Sequence, residues 1–430
     1  AEIQRDLGNI DEAVRLFEEA LAIDDSLPFV YLGYGDVLQR AGRFDEAIAA
    51  WERFLAAHPN HPRWQAVRQQ VVDAAFAKGA ARMAADDRDG AVAAWRGFAA
   101  AYPTNAKAPQ ALLLAGDALR GAERYEAALE VWRQIGGRYA ASAQAPHAAL
   151  RIAKTLEDDL DRLDDAVKAY EDLVRKHPNT GQAGEARSRL ERLKAYDLEL
   201  RMNRVVGTQE PPVLRVATRN IPALDVRVYR LDLEEYFRRK GTVLGVENLQ
   251  LEVVKPDLTE AWKLGDAYRP FARIEADREV PVDGPGAYVV VAGDDQLTAT
   301  SLFLVSDVEL VAKTTRHRHT FVWAFERGTQ KPVASARVLA ARGTWVAEVG
   351  RTGPDGVWQG SPEHGAQHLL VLTDRGPAAS EIGPGPETAS GFSSKAYVYA
   401  HAPVYRPGAE VSWRAIFLKA SGGSYLPPSK

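Results

Sequence analysis

The segment Gly42-Arg43-Phe44-Asp45-Glu46-Ala47, followed by Trp51, Phe54 and Pro59, has a counterpart 34 residues upstream in Gly8-Asn9-Ile10-Asp11-Glu12-Ala13, followed by Phe17 and Ala20. Working outward, further copies read Ala91, Trp95, Phe98 and Pro103, then Ala128, Trp132 and Ile135, then Ala166, Tyr170, Leu173 and Pro178. A small residue lets two helices approach closely, an aromatic four positions later fills the space beside it, and proline cannot continue the second helix. Tyr31, Tyr34, Gly35 and Leu38 supply the first helix of one pair, and Gly116 and Leu119 that of a later pair. Spacings after the first are 44, 37 and 38 residues, so helices or loops lengthen along the array.

This pattern resembles the tetratricopeptide repeat, whose period is about 34 residues. The Tyr102-Pro103 form with its Ala-Pro-Gln-Ala run is similar to the variable-length repeats of bacterial envelope proteins. The resemblance implies a solenoid with a concave face over residues 1–204. In it Trp51, Trp95, Trp132 and Tyr170 are expected to be inter-helix core. Asn179 to Leu200, with Ala183, Ala186, Leu190 and Leu193 on one stripe, is expected to be a capping helix. Ala1 aligns with Gly35, inside a leading helix, so the repeat phase predicts a chain cut from a longer one.

Composition narrows the function classes. The chain has 430 residues, is 46% hydrophobic and 26% charged, and carries a formal net charge of -4. Residues 1–200 hold 26 Lys/Arg against 32 Asp/Glu, so no basic domain of the kind that binds nucleic acid is evident there. No window of about 18 apolar residues is present, so no membrane-spanning helix is expected. Cysteine is absent, which excludes disulfides, thiolate metal sites and cysteine nucleophiles from this chain.

Near Val206 the texture changes to short alternating runs rich in Val, Thr, Gly and Pro, the period of antiparallel β-structure. Strands are predicted at Val213–Thr218, Val226–Leu231, Leu249–Val254 and Ala287–Ala292, with a short helix over Asp232–Arg239. From Ser301 a second set follows at Leu302–Val305, Val308–Lys313, His319–Glu326, Ala336–Ala341, Thr344–Val349 and His368–Thr373. Asp355-Gly356 marks a turn that accepts positive φ. The fold class is therefore multidomain, an all-α solenoid followed by all-β antiparallel sandwiches. The expected division is a sandwich at 205–300, a second at 301–375, a Gly/Pro/Ser linker at 376–394, and the start of a third sandwich at 395–430. About two strands are expected in that last piece, too few to close a sandwich, which predicts a cut at this end as well.

Tyr397-Val398-Tyr399, leading to Tyr405-Arg406-Pro407-Gly408-Ala409-Glu410-Val411, resembles the strand entry of macroglobulin-type domains in bacterial alpha-2-macroglobulin-like proteins. Gly286 to Val290, Leu302 to Lys313, and the unit from Lys331-Pro332 to Gly356-Val357 extend the resemblance over 211–419. Ala400-His401-Ala402 departs from it, standing where family members carry Thr-Asp-Arg. The resemblance implies a very large endopeptidase inhibitor that traps proteases outside the cytoplasm, in the periplasm or cell envelope, with the repeats docking a further protein. The thioester of many such proteins needs a cysteine, which this chain lacks. The alternative is a non-inhibitory scaffold whose repeats bind a partner and whose sandwiches act as spacers.

Residues that could carry chemistry each have a simpler account. His364 and His368 have helical metal-pair spacing, but Gly360-Ser361-Pro362 and Gly365 place them on a loop running into a strand, where two imidazoles do not converge. His317 and His319 would share one strand face, and Arg316 and Arg318 the other, forming a solvated basic strand or an anion or partner contact. Glu157, Asp158, Asp159, Asp161, Asp164 and Asp165 form an acidic cluster that lacks the glycine and terminal glutamate of a calcium loop. No Gly-x-Ser-x-Gly or Gly-x-Gly-x-x-Gly stands in the required context. No catalytic, cofactor-binding or metal residue is therefore assigned, no cofactor is expected, and the chain is not expected to be an enzyme.

Overall fold

The computed structural model describes the chain apart from residues 25, 247, 248, 250, 252, 253, 316, 384, 392, 393, 401–409, 422, 423 and 427–430. Two compact units emerge, Ala1–Leu193 and Lys194–Lys430. The first is helical: α1 (Glu2–Asp6), α2 (Ile10–Ile23), α3 (Pro28–Arg40), α4 (Phe44–Ala57), α5 (Trp64–Ala84), α6 (Arg88–Ala101), α7 (Ala108–Gly121), α8 (Tyr125–Arg138), α9 (Ala145–Lys154), α10 (Leu163–Lys176) and α11 (Gly181–Lys194). From α1 to α10 each helix packs on the next in sequence, as a solenoid of helical pairs requires.

Close approach at one point holds three of the helical pairs, α3/α4, α5/α6 and α7/α8. A Cβ built on Gly35 would stand 2.2 Å from Trp51 Nε1, one on Gly79 would stand 2.3 Å from Trp95 Nε1, and one on Gly116 would stand 2.1 Å from Trp132 Nε1. The two members are 16 residues apart in every pair, so the indole edge lies on the glycine backbone across the hairpin. Ala47, Trp51, Phe54, Ala128, Trp132, Ala166 and Tyr170 are each fully buried. The hairpin turns share a left-handed residue, at Gly8, Gly42, Asp86, Glu123 and Asp161, with φ of 83, 74, 58, 57 and 50°.

The uneven spacings now have causes. The 44-residue step comes from α5, which has 21 residues where α4 and α6 have 14 each. From α7 to α9 the equivalent residues Ala108 and Ala145 are 37 apart, whereas from α8 to α10 Ala128 and Ala166 are 38 apart. The extra residue is absorbed by a π-helical turn, Thr155–Asp159, that follows α9.

The second unit is built from sheets. Its strands are β1 (Asp197–Asn203), β2 (Val205–Val206), β3 (Val213–Arg219), β4 (Ala223–Leu231), β5 (Leu258–Lys263), β6 (Arg273–Glu279), β7 (Gly286–Gly293), β8 (Thr298–Val305), β9 (Val308–Thr314), β10 (Thr320–Glu326), β11 (Arg337–Arg342), β12 (Trp345–Arg351), β13 (Val357–Gly360), β14 (His368–Thr373), β15 (Gly376–Ala379), β16 (Pro386–Ser390), β17 (Ser394–Ala400), β18 (Trp413–Ser421) and β19 (Ser424–Leu426). One helix, α12 (Leu233–Lys240), is capped by the Asp232 carboxylate, which accepts from Glu235 N at 2.9 Å, and ends at Gly241 with φ 68°.

Four sheets stack in the order β16-β1-β3-β6, β2-β8-β7-β4-β5, β12-β11-β14-β15, and β13-β10-β9. Alternation along each strand sorts side chains between neighbouring cores. In β7, Tyr288, Val290 and Ala292 enter the core of the first sandwich, while Ala287, Val289 and Val291 enter a middle core. That middle core also takes Leu339 and Ala341 of β11, Leu370 of β14, and Leu233, Tyr236 and Phe237 of α12. Val338, Ala340, Leu369 and Val371 face the other way, into the second sandwich. The two central sheets are thus buried on both faces, which is why Ala287–Ala292 reads as continuously apolar.

Several expectations are corrected by the structure. The helix expected over Asn179–Leu200 ends at Lys194, because Leu198, Leu200 and Met202 alternate into the first sandwich core as part of β1. The boundary therefore falls near 193/194 and not 204/205. Residues 301–305 belong to β8 of the first sandwich, and the second begins at Val308. Of the expected strand Leu249–Val254, the described residues Leu249, Leu251 and Val254 lie in no strand, and Leu249 and Val254 donate backbone hydrogen bonds back to Val246 and Leu251 in tight turns; the other three lie outside the described residues. The expected linker 376–394 carries β15, paired with β14, and β16, which returns to pair with β1. The last piece holds a three-stranded antiparallel sheet, β17-β18-β19, among the described residues. The Tyr405-Arg406-Pro407-Gly408-Ala409 element and His401-Ala402 lie outside the described residues.

Candidate functional site

On the solenoid, polar side chains of successive first helices are tied together at repeat distance. Gln70 Nε2 of α5 donates to Asp36 of α3 at 3.2 Å, Lys107 Nζ to Asp73 of α5 at 2.7 Å, and Arg151 Nη2 of α9 to Asp117 of α7 at 2.9 Å, each over 34 residues. Lys154 Nζ continues the ladder to Glu185 of α11 at 3.0 Å. The rungs differ in charge. Burial pushes the Asp36 carboxyl above its usual range, because its partner is a neutral amide, whereas the Lys107 ammonium holds Asp73 below it. A second series joins Asp45 to Lys78, Asp89 to Arg124, and Glu126 to Arg162.

The acidic cluster sits at the end of this ladder. Glu157, in the π turn, is shielded from solvent and accepts from Tyr170 Oη at 2.7 Å and Arg189 Nη1 at 2.8 Å, with Arg192 beside it. Asp158 pairs with Arg189 and Asp159 with Arg120, while Asp165 pairs with Arg162. Burial, reinforced by the Glu157 hydrogen bond, raises the Tyr170 phenol. Asp159 and Arg120 also edge a pocket of about 620 Å³ with Asp117, Tyr125, Arg151 and Lys154. Its charges are largely matched within the solenoid, so the cluster acts as a structural clasp.

A different pocket carries unspent polar capacity. About 550 Å³ in volume, it lies between the loops that follow α6 and α8 and is lined by Pro103, Asn105, Pro109, Tyr139, Ser142 and Gln144. Tyr139 Oη and Ser142 Oγ are buried there without a hydrogen-bond partner. Buried hydroxyls are ordinarily paired, so these two depart from the usual pattern. Sequence reading missed both, since Tyr139 and Ser142 occupy ordinary loop positions and nothing local marks them.

In the β unit the histidines separate. His364 lies in the loop before β14 with its ring 5.3 Å from that of Trp345, while His368 Nδ1 meets Glu381 Oε1 at 3.0 Å. Glu381 also accepts from Thr242 Oγ1 and Val243 N. His319 Nδ1 lies 3.3 Å from Ser361 Oγ. Thr315–His319 form the β9–β10 hairpin loop, so His317 and Arg318 sit at a turn and not on a strand; Arg316 lies outside the described residues. Among the described residues no three His, Asp or Glu side chains converge as metal ligands, and no helix is long and apolar enough to cross a membrane.

Family models of the tetratricopeptide repeat match residues 4–71 and 147–180, so the helical unit carries tetratricopeptide repeats. No curated protein sequence matches the chain. Among solved structures, the chain is similar to native alpha-2-macroglobulin from Escherichia coli spanning domains NIE-MG1, at 15% identity, covering 42% of this chain and 95% of that one with a TM-score of 0.31. It is also similar to MamA from Desulfovibrio magneticus RS-1 (18% identity, 42% and 92% covered, TM-score 0.24). A third likeness is to YrrB, described as a tetratricopeptide-repeat protein with an unusual peptide-binding site (16% identity, 44% and 88% covered, TM-score 0.25).

Proposed function

We propose that the chain is the front part of an alpha-2-macroglobulin-like endopeptidase inhibitor that works by trapping proteases outside the cytoplasm, with the repeat array docking a second protein. The observation that carries this reading is the pair of sandwiches fused through a buried middle core. Two modules that share a core move as one body, the behaviour required of a wall that encloses another protein. The Tyr397 to Val411 sequence element supports the same family. Trapping needs no reactive side chain in this part of the protein. The pocket at Tyr139 and Ser142 supports the docking role of the repeats.

The test uses the full-length protein incubated with trypsin, followed by assays on a large protein substrate and on a small peptide. Trapping predicts loss of the first activity with survival of the second. Survival of both would assign the chain instead to a scaffold whose repeats bind a partner and whose sandwiches set a distance.

A further inference from the structure

At one end of the second sandwich, Arg318, Arg342, Thr344, Trp345 and His364 enclose an open pocket of about 630 Å³. Three separate segments build it: the β9–β10 hairpin loop supplies Arg318, the β11–β12 hairpin supplies Arg342, Thr344 and Trp345, and the loop before β14 supplies His364. Both guanidiniums are pinned, each by one backbone carbonyl: Arg318 Nη1 donates to Glu363 O at 3.3 Å and Arg342 Nη1 to His364 O at 3.2 Å. Among the described residues neither has a carboxylate within ion-pair distance, so most of their donors and both charges are uncompensated. By contrast Arg337, in the same strand as Arg342, is bound to both Glu234 and Glu348.

The backbone is adapted to this arrangement. Arg318 is a non-glycine residue at φ 64°, a conformation that costs energy and directs its side chain from the loop tip. Gly365, at φ 78°, leaves the space that both arginines use. A Cβ there would stand 3.0 Å from Arg342 Nη1 and 3.4 Å from Arg318 Cδ. Glycine thus satisfies the turn and lets two like charges converge.

We infer that this pocket binds a phosphate group carried on a small organic body, with Arg318 and Arg342 holding the phosphate and Trp345 and His364 lying against the body. A monoanionic carboxylate neutralises one guanidinium, whereas a phosphate monoester carries about -1.5 to -2 charge and three acceptor oxygens, enough for both forks. The same chemistry is offered by a soluble phosphate ester and by a phospholipid headgroup.

Titration calorimetry at low ionic strength, with glycerol phosphate, inorganic phosphate and succinate as probes, tests the assignment alongside flotation with vesicles containing phosphatidic acid. Saturable binding of glycerol phosphate is expected, weakened by added salt, and lowered roughly tenfold or more in Arg318→Ala and in Arg342→Ala. Arg239→Ala, which removes an exposed guanidinium on α12, should bind as the unaltered protein does. Gly365→Ala, which keeps both charges but crowds them, should weaken binding while leaving the circular dichroism spectrum unchanged. Binding to vesicles without binding to glycerol phosphate would place the phosphate on a lipid. Failure of every phosphate probe, equal affinity for succinate, or full binding by both arginine variants would overturn the proposal.

Discussion

A Cβ on Gly116 would overlap the Trp132 indole, and the indole cannot retreat because it is fully buried and its Nε1 donates to Leu113 O at 3.2 Å. Gly116→Ala is therefore expected to destabilise the solenoid by about 2–3 kcal/mol, read as a lower melting temperature. Gly42→Ala meets no neighbouring atom, so only the left-handed backbone is penalised and the expected loss is about 1 kcal/mol. The reverse sign is expected at Tyr139. Tyr139→Phe removes a buried hydroxyl that has no partner, so stability should hold or rise by about 1 kcal/mol in urea unfolding. A marked loss there would mean that the hydroxyl is paired in solution.

At the scale of elements, α12 is fastened to β11 by Glu234 and Arg337, at 2.7 Å. The Arg337 guanidinium, aided by Arg238, holds the Glu234 carboxyl down to about 2. A depressed carboxylate stabilises the fold fully above its unfolded value near 4.5, and that contribution fades as the pH falls from there towards 2. Glu234→Gln should remove on the order of 2 kcal/mol at neutral pH, after allowance for solvent screening, and flatten the stability profile over that acid range. Elements of this kind were only partly legible. Helices announced themselves through Ala, Trp and Gly positions that recur together, and a short helix was expected over Asp232–Arg239, where α12 lies. The strands β5 and β6 did not, since Arg273–Glu279 has no buried residue and its charges mask the alternation. β16 was hidden by a Gly- and Pro-rich setting, because its pairing with β1 depends on residues 183 or more positions away. The pocket of Arg318, Arg342 and His364 was legible only as a basic strand, since Arg342 and Trp345 reach it from another hairpin.

For the β unit as a whole, the middle core makes two sandwiches one thermodynamic body. Leu339→Ala or Leu370→Ala, each fully buried in that core, should cost about 2–5 kcal/mol. Amide exchange would then show faster opening in β7 of the first sandwich and in β14 of the second together. Protection lost from one sandwich alone would show that the shared core does not couple them.

The return of β16 to β1 also sets a timetable. Glu199 and its partner Ser390 are 191 positions apart, and every residue between them must leave the ribosome before the first sheet gains its last strand. At about 5–20 residues per second, that leaves β1 with an open edge for roughly 10–40 seconds of translation. The second sandwich is completely synthesised within that interval. The order of manufacture is thus the reverse of the order along the chain: the later module is finished first, and its tail then closes the earlier one.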